Sequence, residues 1–205
     1  SLTGMALLFA IVIAFPLGFW AGVRPKSWAD RFVMAVSVVL QSIPNFWLGI
    51  MLILLVTVKL GWIPSMGYNG PTYLILPSFA LAVSMVPVLM RTIRSSVSDV
   101  LQQNFIKVAR ARGISESKIL FKHVLKNCSI PVITLLGVQI GYLLGGALVI
   151  EFIFDFPGIG LLTIYSVTQR DFPVIQGIVI FFSTIFVLIN ILVDALYAYI
   201  DPRIR

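Results

Sequence analysis

The sequence predicts an all-α integral membrane protein with five membrane-crossing helices, and three observations carry that prediction. First, the chain of 205 residues is 59% hydrophobic and only 11% charged, with a mean hydropathy of +1.02. A soluble domain needs about 25% charged residues to cover its surface, so lipid must be the solvent for much of this chain. Second, residues 2–23, 32–58, 73–90, 129–150 and 176–200 are each apolar over roughly the 20 residues that cross a bilayer. Third, none of these stretches alternates with the period of two that a barrel strand requires. Backbone groups in lipid must be paired within the segment, so each stretch reads as a helix.

The elements follow in order. The first span carries Pro16, the second Pro44 and the third Pro87, and a kink is expected at each. The chain opens at Ser1 with no basic stretch or small-residue cleavage site before its first apolar run, the expectation for a start inside a longer protein. Residues 59–72 and 151–175 are rich in Gly, Pro and aromatics, which reads as turns at a membrane interface rather than a separate domain. The whole chain, 1–205, is therefore one transmembrane domain interrupted by a basic segment at 91–127.

That segment holds Arg91, Arg94, Lys107, Arg110, Arg112, Lys118, Lys122 and Lys126 against only Asp99 and Glu116. If it faces the cytoplasm, so do Arg24, Lys26, Arg31, Arg203 and Arg205, leaving only Lys59 and Arg170 outside. The positive-inside rule selects this topology, with the N-terminus out and the C-terminus in. The net charge of +7 is thus an orientation signal and a match for anionic headgroups, not a nucleic-acid footprint. A single cysteine, Cys128, leaves no intrachain disulfide to form.

Within the basic segment, residues 99–112 read as a helix stopped by Gly113, and Ser115 as the N-cap of a second helix with Glu116 in its first turn. Lys118, Lys122 and Lys126 form one basic stripe. Two readings stay open, an amphipathic helix on anionic headgroups and a docking element for a cytoplasmic subunit. No Gly-rich loop ending in Gly-Lys-Ser/Thr is present, and the spans carry no cluster of ionisable residues for a proton relay; Asp194 is the clearest internal candidate. Energy for pumping would have to come from a partner.

The run from Phe105 through Lys107, Val108, Ala109, Arg110, Ala111 and Arg112 to Gly113, continuing to His123 and Asn127–Pro131, resembles the cytoplasmic signature of ATP-binding-cassette importer permeases, in particular the dipeptide/oligopeptide/nickel group. Further matching runs begin at Ser42 (Ser-Ile-Pro-Asn-Phe-Trp-Leu-Gly), Gly145-Gly146 with Glu151, Phe156 (Phe-Pro-Gly-Ile-Gly), Arg170 (Arg-Asp-Phe-Pro-Val-Ile-Gln) and Asp201 (Asp-Pro-Arg-Ile-Arg), so the resemblance spans nearly the whole chain. Two departures from the general signature, Lys107 at its acidic position and a Pro131 farther from Gly113, resemble the peptide/nickel branch.

The resemblance implies a type I importer permease fold whose first helix has no counterpart here. It implies that residues 107–113 form a coupling helix seated in an ATPase cleft. Ala109 and Ala111 would keep that helix slim, Gly113 would allow the turn, and Arg110 and Arg112 would pair with acids on the partner. It also implies a homologous second permease, two ATPase subunits carrying ATP and Mg, and an external binding protein, in a bacterial or archaeal cytoplasmic membrane. This chain itself would hold no cofactor and catalyse no reaction. Dipeptides, oligopeptides, glutathione, nickel or a metal chelate all suit this branch as cargo. The rival reading is a self-sufficient channel or secondary transporter, which should show an inverted repeat or intramembrane charges.

For the pathway, Ser37, Gln41 and Asn45 stand four apart beside Pro44, with Ser84 in the third span and Gln139 in the fourth. Such groups either bond between helices or line a water-filled path. Gly137, Gly141 and Gly145 form a small-residue face for helix packing, within the chain or against a second permease. Glu151, Asp155 and Asp171 read as a solvated rim or a contact for a delivery protein. His123, the only histidine, reads as helix packing or partner contact, since one histidine without carboxylates makes a poor metal site.

Overall fold

In the computed structural model the described residues are 1–200, less the side chains of Leu144, Gly146, Asp194 and 196–200. The terminal run from Asp201 to Arg205, the Asp194 side chain and that of Gly146 therefore lie outside the described residues. All of the regular structure among them is helical: α1 Leu2–Val23, α2 Trp28–Ser42, α3 Asn45–Leu52, α4 Ile75–Leu101, α5 Asn104–Ala111, the single turn α6 Glu116–Lys118, α7 Leu125–Ile153, α8 Ile159–Gln169 and α9 Phe172–Ile200. Wider π-helical turns extend α3 over Ile53–Lys59 and join α6 to α7 over Ile119–Val124. Four helical stretches are long and apolar enough to cross a membrane, and α2 with α3 makes a fifth, bent by 92°. The expected five are reached when this bent pair is counted as one span.

The core is built around α4. Leu81, Met85, Leu89, Ile93 and Val97 recur every fourth residue along it and are buried. Facing them, α1 presents Ala6, Ala10, Ala14, Gly18 and Gly22, also every fourth residue and also buried. A Cβ on Gly18 would lie 2.7 Å from the Met90 carbonyl and 3.0 Å from Ile93 Cβ; one on Gly22 would lie 2.7 Å from both the Arg94 carbonyl and Val97 Cβ. In lipid there is no hydrophobic gain from associating two apolar helices, so close van der Waals approach through small residues must hold them. Sequence reading found the small-residue face on α7 but missed this longer one.

Chain directions alternate. Leu2 pairs with Ser78 through a 3.4 Å hydrogen bond and Gly18 with Ile93, so α1 and α4 run parallel. Gly137 backs onto Val193 and Gly141 onto Phe186, so α7 and α9 run antiparallel. The Asp30–Arg94 ion pair joins the start of α2 to the C-terminal part of α4. The bend of α2–α3 and these contacts gather the basic residues of 91–126 at one end of the bundle. Trp28 at that end and Trp62 in the far loop are 76% and 73% exposed, the two-ended placement of interfacial tryptophans.

Of the prolines, only Pro44 stands at a break: α1 runs through Pro16 and α4 through Pro87 as continuous helix. Ile43, the residue before Pro44, is extended (φ −86°, ψ 120°), as the proline ring requires of its predecessor. The expected 99–112 helix is also divided, because α4 runs on to Leu101 and α5 begins afresh at Asn104. The 151–175 connection is not simply turns, since it contains the 11-residue α8.

Candidate functional site

The 92° bend opens a cleft of about 440 Å³ in the bundle. Gln41 lies in the last turn of α2 on one side of the break, and Asn45 begins α3 on the other. Ser84 reaches the cleft from α4, and Gln139 with Tyr142 from α7. The sequence had spread Gln41, Asn45, Ser84 and Gln139 over three spans, and the fold brings all four to one place. Ser37 is not among them: it is fully buried, and its hydroxyl donates to the Met34 carbonyl at 2.8 Å. Ser37 lies one turn before Gln41 on the same unbroken α2, where the helix is packed into the core and no longer borders the cleft. Tyr142 went unnoticed, although it shares the face of Gln139 at i+3.

The lining mixes polar with apolar side chains and is uncharged. Ser84 donates to the Leu81 carbonyl at 2.8 Å. Gln41 accepts from Arg91 at 2.6 Å, across from α4. The unwound Ile43–Pro44 backbone, like those amides, sits where non-helical chain at membrane depth is tolerated, against protein or a wet cavity.

At the basic end, α5 stops on Gly113 with φ +74°. The Gly113 N–H donates to the Arg110 carbonyl at 2.9 Å and the Ile114 N–H to the Ala109 carbonyl at 3.2 Å. These are the paired closing bonds of a Schellman C-cap, which needs a left-handed residue at this position. Ile106 and Ala109 face inward, whereas Lys107, Val108, Ala111 and Arg112 are exposed. Two expectations change accordingly. Ala109 is not part of a slim outward face, since it packs on the chain's own core. Arg110 is already engaged, forking onto Glu116 at 2.7 and 3.3 Å, and that carboxylate holds its pKa above the ordinary guanidinium value. His123 packs edge-on to Phe105 with ring centroids 6.4 Å apart. Lys118, Lys122 and Lys126 are exposed.

The opposite end carries a second correction. Glu151 does not belong to a solvated rim: it is 9% exposed, and one carboxylate oxygen accepts from the N–H groups of Gly160 at 2.7 Å and Leu161 at 3.1 Å. It satisfies two orphan donors at the α8 N-terminus, where a negative charge is favoured by the helix dipole. The Phe-Pro-Gly-Ile-Gly run explains itself here, because a Cβ on Gly158 or Gly160 would strike that carboxylate. Asp155 is exposed, and Asp171 caps α9 through the Val174 N–H at 3.3 Å. Of the small-residue face on α7, Gly137 and Gly141 pack against α9, while Gly145 has open space beside it. Among the described residues no three His, Cys, Asp or Glu side chains cluster as a metal site.

Comparison with known proteins places this architecture. The chain is 43% identical over 204 residues to the glutathione transport system permease protein GsiC of Salmonella typhimurium LT2, covering 100% of this chain and 67% of that protein. The identity to GsiC of Escherichia coli K12 is the same over the same span. Among solved structures, an inward-facing MetNI methionine ABC transporter aligns over 98% of this chain and 91% of its own with a TM-score of 0.78 at 20% identity, a likeness of fold. Residues 14–205 match the binding-protein-dependent transport system inner membrane component family. The chain belongs to that family, and it is the membrane-spanning permease subunit of an ATP-driven importer whose ATP hydrolysis resides in separate subunits.

Proposed function

We propose that the cleft at the α2–α3 break is the translocation path and that its cargo is a peptide of the glutathione type. The observation that carries this reading is the convergence of Gln41, Asn45, Ser84 and Gln139 on one cavity. Amide and hydroxyl groups can exchange hydrogen bonds with a peptide backbone. Nickel or a naked metal ion would ask for imidazole, thiolate or carboxylate ligands, and the cleft lining has none. The 43% identity to permeases named for glutathione transport supports the same choice.

Around the path, a homologous second permease completes the membrane portion, two ATPase subunits with ATP and Mg dock at the basic end, and an external binding protein delivers cargo at the other. The basic end and the C-terminus face the cytoplasm, as the positive charge favours. Docking uses the exposed face of α5, through Lys107, Val108, Ala111 and Arg112. Arg110 holds the following turn in place through Glu116, and Gly113 keeps the bend between them. Nucleotide-driven movement of α5 passes into both α7 and α4 through the Ile119–Val124 turns, which touch all three helices.

Cysteine accessibility tests the path. Cys128 is buried, so single cysteines at Asn45, Ser84 and Gln139 can be probed with a water-soluble maleimide in the assembled importer. Labelling at all three that changes with nucleotide is expected, with none at a cysteine placed at Leu143, which is fully buried in the core. Unreactive cysteines in every nucleotide state would overturn the assignment.

A further inference from the structure

Arg91 stands beside the cleft, bonded to its lining residue Gln41, and among the described residues no acid pairs with it. On α4, Ser84, Val88 and Arg91 follow at spacings of four and three, so they share one helix face. Ser84 and Val88 line the cleft, and Arg91 continues that face toward the basic end. Its Nη1 donates to Gln41 Oε1 at 2.6 Å. Among the described residues, Arg94 is paired with Asp30 and Arg110 with Glu116, but no carboxylate lies within ion-pairing distance of Arg91. The nearest acid on its own helix, Asp99, receives the Ser95 hydroxyl instead.

A guanidinium offers five N–H donors in a planar fork, and one amide oxygen occupies a single arm of it. A carboxylate engages two arms with charge assistance and displaces a neutral monodentate acceptor. We propose that Arg91 is a specificity-determining residue that takes the carboxylate of the moving substrate, with Gln41 as its resting partner. The inference deepens the reading of the cleft as the path and rests on it. Cargo for this station is a solute with a free carboxylate, anionic or zwitterionic, and the neutral lining beyond it handles the amide groups of the same molecule. The exchange also suits transit, because a site on a path must bind strongly enough to admit and weakly enough to release. When the substrate leaves, the Gln41 carbonyl returns to the guanidinium.

The test uses the chain purified with its native ATPase and binding-protein partners in proteoliposomes, with ATP-driven uptake of glutathione and of unblocked alanyl-phenylalanine as probes. Uptake is normalised to assembled complex. Arg91→Gln is expected to lower uptake about tenfold, the scale of one charge-assisted hydrogen bond, while Arg91→Lys stays within about threefold by keeping the charge. Gln41→Glu is the discriminating variant. It strengthens the tie between α2 and α4, so a purely mechanical latch would transport normally, whereas a carboxylate station would be occupied and uptake would fall about tenfold. Wild-type uptake by Arg91→Gln or by Gln41→Glu overturns the proposal, as does equal loss in Arg91→Lys and Arg91→Gln. Ser84→Phe, which fills the cleft, separates the two levels: if it blocks uptake while Arg91→Gln does not, only the Arg91 assignment fails. If Ser84→Phe transports normally, or the wild-type complex takes up neither probe, the path reading itself is lost.

Discussion

Arg94 forks onto Asp30, with Nε 2.9 Å from Oδ1 and Nη2 2.7 Å from Oδ2. Asp30 is buried and has further partners: its Oδ2 accepts the Lys26 N–H at 2.8 Å, and its own N–H donates to the Ser27 hydroxyl at 3.3 Å. The carboxylate thus closes the α1–α2 turn and fastens it to α4, while the Ser27 hydroxyl caps the N-terminus of α2. Removing one partner leaves the other charge without compensation in a dry setting. Arg94→Ala and Asp30→Ala should each destabilise the protein in detergent by about 3 kcal/mol, the lower end for buried pairs because Arg94 is partly exposed. Thermal unfolding of the two single variants and the double variant checks this, and the double should cost much less than the sum.

Gly18 and Gly22 set the distance between α1 and α4. Gly22→Val places new atoms against the Arg94 carbonyl, which belongs to helix backbone and has no rotamer to adopt. A loss of at least about 2 kcal/mol is expected, the scale of overpacking in a tight core. Gly4→Ala should be neutral, since nothing lies within 4 Å of its Cβ position. Yield of monodisperse protein after extraction separates the two.

Gly113 holds φ +74° with open space around it, so substitution there tests conformation and not packing. Gly113→Val should cost about 1–2 kcal/mol locally from the left-handed backbone and should let ATP hydrolysis proceed without uptake in the reconstituted importer. Gly113→Asn, which tolerates this region better, should keep most transport. Equal transport by Val and Asn variants would contradict a coupling role for the turn.

At the far end, Gly160→Ala drives a methyl group to 2.7 Å from both Glu151 Oε2 and Leu148 Cα. Glu151→Ala removes the acceptor of two α8 amides. Each should cost about 1–2 kcal/mol, the range for losing an N-cap, and hydrogen exchange should quicken in α8 while α1 and α4 stay protected.

Much of this was legible before any coordinates. Mean hydropathy and span length specify the helices, because lipid leaves the backbone no other way to satisfy its hydrogen bonds. Pro44 marks its own break, since the ring blocks the helical conformation of Ile43. Gly113 announces a helix stop, and the polar residues of the spans stand out against their apolar neighbours. The pairings were harder to read. Ser27-Trp-Ala-Asp30 carries the pattern of a helix start, yet nothing local says that Asp30 also meets Arg94, 64 residues away. Glu151 looked like a surface acid because burial is a property of the neighbours, and α8 is too short to signal itself by length.

By itself, then, the sequence determined the helical membrane class, the presence of apolar stretches long enough to cross a bilayer, the broken helix at Pro44 and the basic segment with its Gly113 turn. Each follows from local rules of solvation and backbone sterics. Tertiary structure alone decided that the spacing of small residues on α1 meets large ones on α4, that Gln41, Asn45, Ser84 and Gln139 share one cleft while Ser37 does not, and that among the described residues Arg94 and Arg110 find a carboxylate while Arg91 pairs with Gln41. Those outcomes depend on which helix faces which, and in lipid that choice is made by close packing and polar pairing between segments far apart in the chain.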